Sequence, residues 1–335
     1  MRLQLICCVA LASLLLHSSV KEVQLQPVLR VSVGKGGFFQ WLQMILWTTT
    51  TTAPTTSTST TEQTPENSIE RECVSCQCGL INSLRKIVGG QETRRHQYPW
   101  LVAVLILGHF YCAGSLINDL YVLTAAHCVL GVPPELITLR FLEHNRSDSD
   151  PLVLERQAVH VKVHELYNPR SFDNDIALIT LDKPVSFEGL IRPVCLPDSG
   201  SSFDGKMAFV AGWGARQEGG FATDTLQEVN VLVLSQSECR NSSYTPALIS
   251  DNMLCAGYVD EDARDACSGD SGGPLHVLLD GQPGQCQVAG IVSWGKGCAR
   301  PNTPGVYTRV NQYLHWIEAS TPHACVCVPI PGEDY

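Results

Sequence analysis

The decapeptide DACSGDSGGP, Asp265 to Pro274, poses the question on which the fold turns. A loop dense in Ser, Gly and Asp ordinarily needs nothing beyond turn chemistry. The alternative is that Ser271 is a nucleophile, which requires a base within hydrogen-bond reach and a third group to orient that base. Neither partner lies in the decapeptide. They would have to come from distant segments, brought to the serine by the fold.

Ten histidines are available. His127 stands apart, because in LTAAHCV (Leu123 to Val129) it follows a strand-like run and is pinned by Cys128. Asp175, in DNDIALI, sits at the mouth of a strongly apolar strand, where a partly buried carboxylate demands a donor. From Ile87 onward, short apolar and β-branched runs such as LVAVLIL, LITLRF, MAFVAGW, QVAGIVSW and GVYTRV alternate with Gly, Pro, Asn and Asp clusters. That pattern predicts an all-β sandwich or barrel. One helix is expected at Asn311 to Ser320, with Leu314, Trp316 and Ile317 gathered on one side.

Upstream of this region the composition changes. Arg2 is followed by the apolar run LQLICCVALASLLL, which reads as the core of a signal peptide over residues 1–19. It is shorter than the roughly 20 residues of a spanning helix, so no membrane anchor is expected. Residues 20–86 read as a propeptide or light chain. They hold an interrupted apolar stretch (Phe38 to Trp47), a threonine-rich linker (48–65) and a cysteine cluster (73–78). The linker cannot build a core and reads as a flexible, O-glycosylated spacer. The fifteen cysteines point to an oxidising compartment and hence to a secreted, extracellular protein. CVSCQC (Cys73, Cys76, Cys78) lacks a second pair with a histidine at metal-site spacing, so zinc is set aside. A net charge of −10 argues against nucleic-acid binding. Asn145 and Asn241 open N-glycosylation sequons.

The motifs IVGG at Ile87, TAAHC, DIAL, GDSGGP and SWG (Ser293 to Gly295) occur in that order. The set resembles the trypsin-like (chymotrypsin-fold) serine proteases, and among them secreted animal zymogens, insect ones included, with a disulfide-tethered propeptide. The resemblance covers Ile87 to about Ser320. It implies two six-stranded antiparallel β-barrels with a C-terminal helix, a protease domain at 87–320 and a cysteine-containing tail at 321–335. It gives His127 the role of base, Asp175 that of orienting acid and Ser271 that of nucleophile, the triad logic known for this family. The N–H groups of Gly269 and Ser271 would form the oxyanion hole. Asp265 would lie at the base of the primary pocket, walled by Gly295 and Gly305 and flanked by Ser293 and Trp294. A carboxylate there selects Arg or Lys, and Ala266, where relatives often have serine, shifts the balance toward Arg. Phe172 would roof the neighbouring subsite. Cleavage between Lys86 and Ile87 would create an α-amino group to pair with Asp270.

The resemblance also sorts the cysteines into Cys112–Cys128, Cys239–Cys255 and Cys267–Cys298, with Cys78 the partner of the tethering Cys195. A further barrel disulfide of many relatives is missing, with Ala208 and Val277 in its two places. Cys73, Cys76, Cys325 and Cys327 are expected to staple the light chain to the tail, with connectivity open, leaving Cys286 as the odd cysteine, a thiol that alkylates without reduction. Glu143 to Glu155 is similar to the calcium loop of trypsins, but extra residues intervene, so a solvated loop is favoured over calcium and no cofactor is expected. The function implied is a regulatory or cascade endopeptidase. Its partners would be protein substrates cut after Arg or Lys, an upstream activating trypsin-like protease and protein inhibitors. A digestive trypsin is the alternative enzyme, and a non-catalytic binding homologue the alternative class.

Overall fold

A computed structural model describes residues 73–82, 91–215, 220–257, 270–282, 284–296 and 302–330, all within one compact unit from Ser68 to Tyr335. The signal peptide, the linker, Lys86, Ile87, Asp265, Ala266, Cys267, Gly269 and Cys298 lie outside the described residues.

After a short strand β1 (Gln91–Glu92), six strands form the first barrel: β2 (Leu101–Ile106), β3 (His109–Leu116), β4 (Tyr121–Thr124), β5 (Ile137–Phe141), β6 (Leu154–Val163) and β7 (Ala177–Leu181). They pair antiparallel in the closed order β2-β3-β4-β7-β6-β5. The reason is legible in β5: Ile137, Leu139 and Phe141 are buried while Thr138 and Arg140 are not, the period-two alternation of a barrel wall. A one-turn helix α1 (Ala126–Val129) follows β4 and carries His127.

The second barrel contains β8 (Met207–Gly212), β9 (Gln227–Val233), β10 (Met253–Gly257), β11 (Pro274–Leu278), β12 (Cys286–Trp294) and β13 (Gly305–Arg309). Its order is β9-β10-β13-β12-β11-β8, and pairing of β8 back to β9 closes the ring, with β1 added outside β9. Ala208 and Val277 face each other in register, both buried, so apolar packing fills the place of the missing disulfide. Helix α2 (Gln236–Arg240) begins with a capping box between Ser235 and Glu238. The expected terminal helix is shorter than its apolar pattern: α3 spans Leu314–Ser320, and the first turn, Val310–Gln312, is a tighter 3-10 turn.

The cysteine cluster is built into the protease body. Cys78 bonds to Cys195, Cys73 to Cys325 and Cys76 to Cys327, which fixes the connectivity the sequence left open. Immediately after the Cys76–Cys327 staple, Gln77 and Val328 form a parallel bridge. Gly79 adopts φ +75°, and a Cβ there would overlap the Cys286 carbonyl oxygen, so a glycine is required where the light chain crosses β12. Cys112–Cys128 and Cys239–Cys255 are also bonded. Cys286 is free, as the cysteine count expects; it has no exposure, and burial pushes its pKa up, disfavouring the thiolate.

Candidate active site

Three segments from different places in the sequence meet between the barrels. His127 arrives on α1 and Asp175 two residues before β7, both from the first barrel, whereas Ser271 precedes β11 of the second. Asp175 is fully buried. Its Oδ1 accepts from the His127 backbone N–H at 2.9 Å, and its Oδ2 accepts from His127 Nδ1 at 2.7 Å and from the Ser293 hydroxyl at 2.5 Å. A carboxylate only accepts, so the imidazole carries its proton on Nδ1 and turns a basic Nε2 away. Thr308 adds a hydrogen bond to the Asp175 carbonyl at 2.7 Å, tying this first-barrel residue to β13.

Ser271 is held by its backbone. The Ala113 N–H donates to its carbonyl at 2.9 Å, and the Gly272 N–H donates to the Val292 carbonyl while the Val292 N–H donates to the Gly273 carbonyl, fastening the turn to β12 one residue from Ser293. Gly272 has φ +78°, and a Cβ would overlap Thr124 Oγ1 and stand 3.2 Å from Cys128 Sγ. That sulfur lies 3.7 Å from His127 Nε2. The double glycine after the serine is therefore what lets the second-barrel turn pack against the histidine's own disulfide. No hydrogen bond joins Ser271 Oγ to Nε2 among the described residues; such bonds are often long without substrate.

Asp270 is buried and accepts from the Gly214 N–H at 2.8 Å. A Cβ at Gly212 or Gly214 would overlap its carboxylate, so both glycines make room for it. Phe172 meets the His127 ring edge-on with centroids 5.8 Å apart. It does so from a left-handed backbone, φ +57°, and Asn174 is left-handed too at +58°. For a bulky residue such a conformation costs about 1–3 kcal/mol and persists only when neighbours enforce it. Trp294 packs on Tyr244, Gly295 is exposed and Gly305 is buried at the start of β13. Asn241 is exposed at the C-cap of α2; Asn145 is half-buried and bridges to Thr225.

Asp173, Ser250, Asn252 and Thr308 were not singled out by the sequence, although they bind the Asp175 segment to the second barrel. Asp173 lies beside the chosen acid, but nothing in sequence links it to residues more than seventy positions away.

The residues of the calcium-like loop do not fit a divalent cation. Arg140 Nε lies 2.7 Å from Glu155 and Nη1 3.5 Å from Glu143, so a guanidinium already bridges the two acids. Burial raises the Glu143 pKa, and Asp148 and Asp150 bind Arg95. Cys112, His127 and Cys128 cluster closely enough for a metal, but both sulfurs are spent in a disulfide and offer no thiolate.

Two closed antiparallel barrels with a buried Asp bonded to a half-buried His and a glycine-locked serine at their junction define the architecture of a chymotrypsin-fold protease. The chain matches the Trypsin family over residues 87–317. It is 40% identical over 232 residues to "Trypsin" of Squalus acanthias, covering 69% of this chain and 94% of that protein. It is 36% identical over 256 residues to "Proclotting enzyme" of Tachypleus tridentatus, covering 72% and 68%. Similarity to "Serine protease filzig" of Drosophila melanogaster is 38% over 265 residues, 74% of this chain but 15% of that longer protein. The chain belongs to the trypsin-like serine protease family and is a serine endopeptidase. Among the described residues, no helix is long and apolar enough to cross a membrane.

Proposed function

We propose that the chain is a secreted zymogen, switched on by cleavage after Lys86, that hydrolyses peptide bonds after Arg, and less readily after Lys, through His127, Asp175 and Ser271. The observation that carries this reading is the Asp175 carboxylate, without exposure and with both oxygens taken by His127 and Ser293. It holds one imidazole tautomer in place and stabilises the imidazolium that forms when Nε2 takes the Ser271 proton. Oγ then adds to the scissile carbonyl. The N–H groups of Gly269 and Ser271 receive the oxyanion, each such donor lowering the barrier by about 3 kcal/mol. His127 next gives its proton to the leaving amine, and water hydrolyses the acyl-enzyme by the same steps reversed.

Asp265 at the pocket base supplies the charge for Arg, and Ala266 beside it withholds a hydroxyl from Lys. Phe172, edge-on to the imidazole, narrows the next subsite and favours Gly, Ala or Pro there. In the activated form Asp270 pairs with the new α-amino group of Ile87. Three light-chain disulfides, which would keep the segment attached after cleavage, favour a regulatory protease with an upstream activator and protein inhibitors. The 40% identity to a protein named trypsin supports a digestive enzyme as the second reading. The test is to cleave after Lys86 and compare amide substrates that differ only in Arg, Lys or Leu at the cut. Arg is expected to lead, and Asp265→Ser to lower kcat/KM for Arg by several orders of magnitude. A profile still led by Arg in that variant overturns the pocket assignment.

A further inference from the structure

The segment that carries both Phe172 and Asp175 is strained, and what holds it comes from the other barrel. Asp173 Oδ1 accepts from the Ser250 hydroxyl at 2.6 Å and from Asn252 Nδ2 at 3.1 Å. Asn174 Oδ1 accepts from the Tyr313 hydroxyl at 3.1 Å and from the same Asn252 amide at 3.4 Å, while its own amide donates to the Leu166 carbonyl at 3.0 Å. Ser250 and Asn252 immediately precede β10, and Tyr313 leads into α3, so all three donors lie beyond the first barrel. Within the first barrel, the Phe172 N–H donates to the Asn168 carbonyl and Asn168 in turn bridges to Asp173, closing a small loop.

From this geometry we infer that Asp173 is a positioning residue: a latch between the barrels that selects the left-handed arrangement of residues 172–174 and so sets Phe172 against the His127 ring. Phe172 and Asn174, on either side of Asp173, are the two left-handed residues of the segment. An L-residue leaves that region once its enforcing contacts go. Without the Ser250 and Asn252 bonds, residue 172 relaxes toward the β or α region and the aromatic wall swings off the imidazole. Asp175 stays in place, because Ser293, Thr308 and His127 hold it independently. The latch therefore governs which residue is accepted before the cleaved one more than it governs the chemical step.

The inference rests on the proposed roles of His127, Ser271 and Phe172, and the experiment separates the two. Activated wild type, Asp173→Ala and Asp173→Asn are titrated with a serine-directed fluorophosphonate. Each is then assayed on two Arg amides carrying Pro or Phe before the Arg. Wild type is expected to prefer Pro. Asp173→Ala should titrate normally, keep kcat on the Pro substrate within a few-fold, raise its KM and shrink the Pro-to-Phe ratio of kcat/KM by about tenfold. Asp173→Asn keeps an acceptor for both donors and should restore the ratio to within about twofold of wild type. General loosening of the fold would lower both substrates together and would not be rescued by Asn. Should Asp173→Ala fail to fold, Ser250→Ala removes the shorter bond alone and should shrink the ratio at least twofold. An unchanged ratio in a variant that titrates normally overturns the latch alone. Wild type that does not react with the fluorophosphonate overturns the underlying assignment, and the latch with it.

Discussion

Ser293→Ala removes one hydroxyl, with consequences that can be worked from the site. Asp175 has no exposure, and Ser293 is one of the two groups on its Oδ2, at 2.5 Å. A hydrogen bond to a buried charged group contributes about 1.5–3 kcal/mol, and alanine supplies no replacement donor. The carboxylate stays held on one side by the His127 backbone and Nδ1 but gains freedom to rotate on the other. With about 2 kcal/mol expressed in the transition state, kcat/KM on an Arg amide should fall about thirtyfold. The assay is steady-state hydrolysis corrected for active-site concentration. Activity within twofold of wild type would refute the claim that Ser293 helps to hold the acid.

Because Arg140 bridges Glu143 and Glu155, chelation should leave the melting temperature of the wild type within about 1 °C, whereas Arg140→Gln should melt lower and regain stability in millimolar calcium. Chelator-induced destabilisation of the wild type would contradict this. His276 is wholly buried, accepts from Trp100 Nε1 at 2.6 Å, and has its pKa pushed down to about 3 by burial. Its stabilising contribution is complete above the unfolded value of 6.5 and is lost as the pH falls from there toward 3. Unfolding free energies from urea titrations at pH 7 and pH 4 should therefore differ by a few kcal/mol more in wild type than in His276→Leu, and equal pH differences in the two proteins would be inconsistent with a neutral buried ring. Activated enzyme should run as one band without reductant even in Cys78→Ser/Cys195→Ser, since two further staples remain; a light chain released from that variant would contradict the tail disulfides. Cys286 should take up iodoacetamide in denaturant and not in the native protein, and native labelling would show that its burial is wrong.

The barrels were legible because their strands announce themselves. Runs such as LITLRF alternate inward and outward as a closed sheet requires, and the ordered motifs singled out Ser271 together with His127 and Asp175, which the structure joins by a hydrogen bond. The cross-barrel partners were not legible. Ser250, Asn252 and Thr308 act through bonds to residues 77 to 133 positions away, and no local pattern marks a serine as the donor to a distant acid. Arg140 was passed over because it belongs to the outer face of a strand, where an arginine looks like ordinary solvation, and only the register against Glu155 reveals it as a bridge. The staples between Cys73, Cys76 and the tail could be anticipated as a group, but which sulfur meets which depends on the parallel register of Gln77 with Val328. The count picked out Cys286 as the odd cysteine, and it is free, but a count says nothing of burial, and its strand lies at the foot of the light-chain crossing.

The most direct measurement of the central claim is the site of covalent labelling by a fluorophosphonate, mapped by peptide mass spectrometry before and after cleavage between Lys86 and Ile87. The account predicts one label per molecule, on Ser271, rising sharply on cleavage, blocked by His127→Ala and accompanied by complete loss of hydrolysis. Label on another residue, or a Ser271→Ala protein that still turns over Arg amides at the wild-type rate, would contradict it.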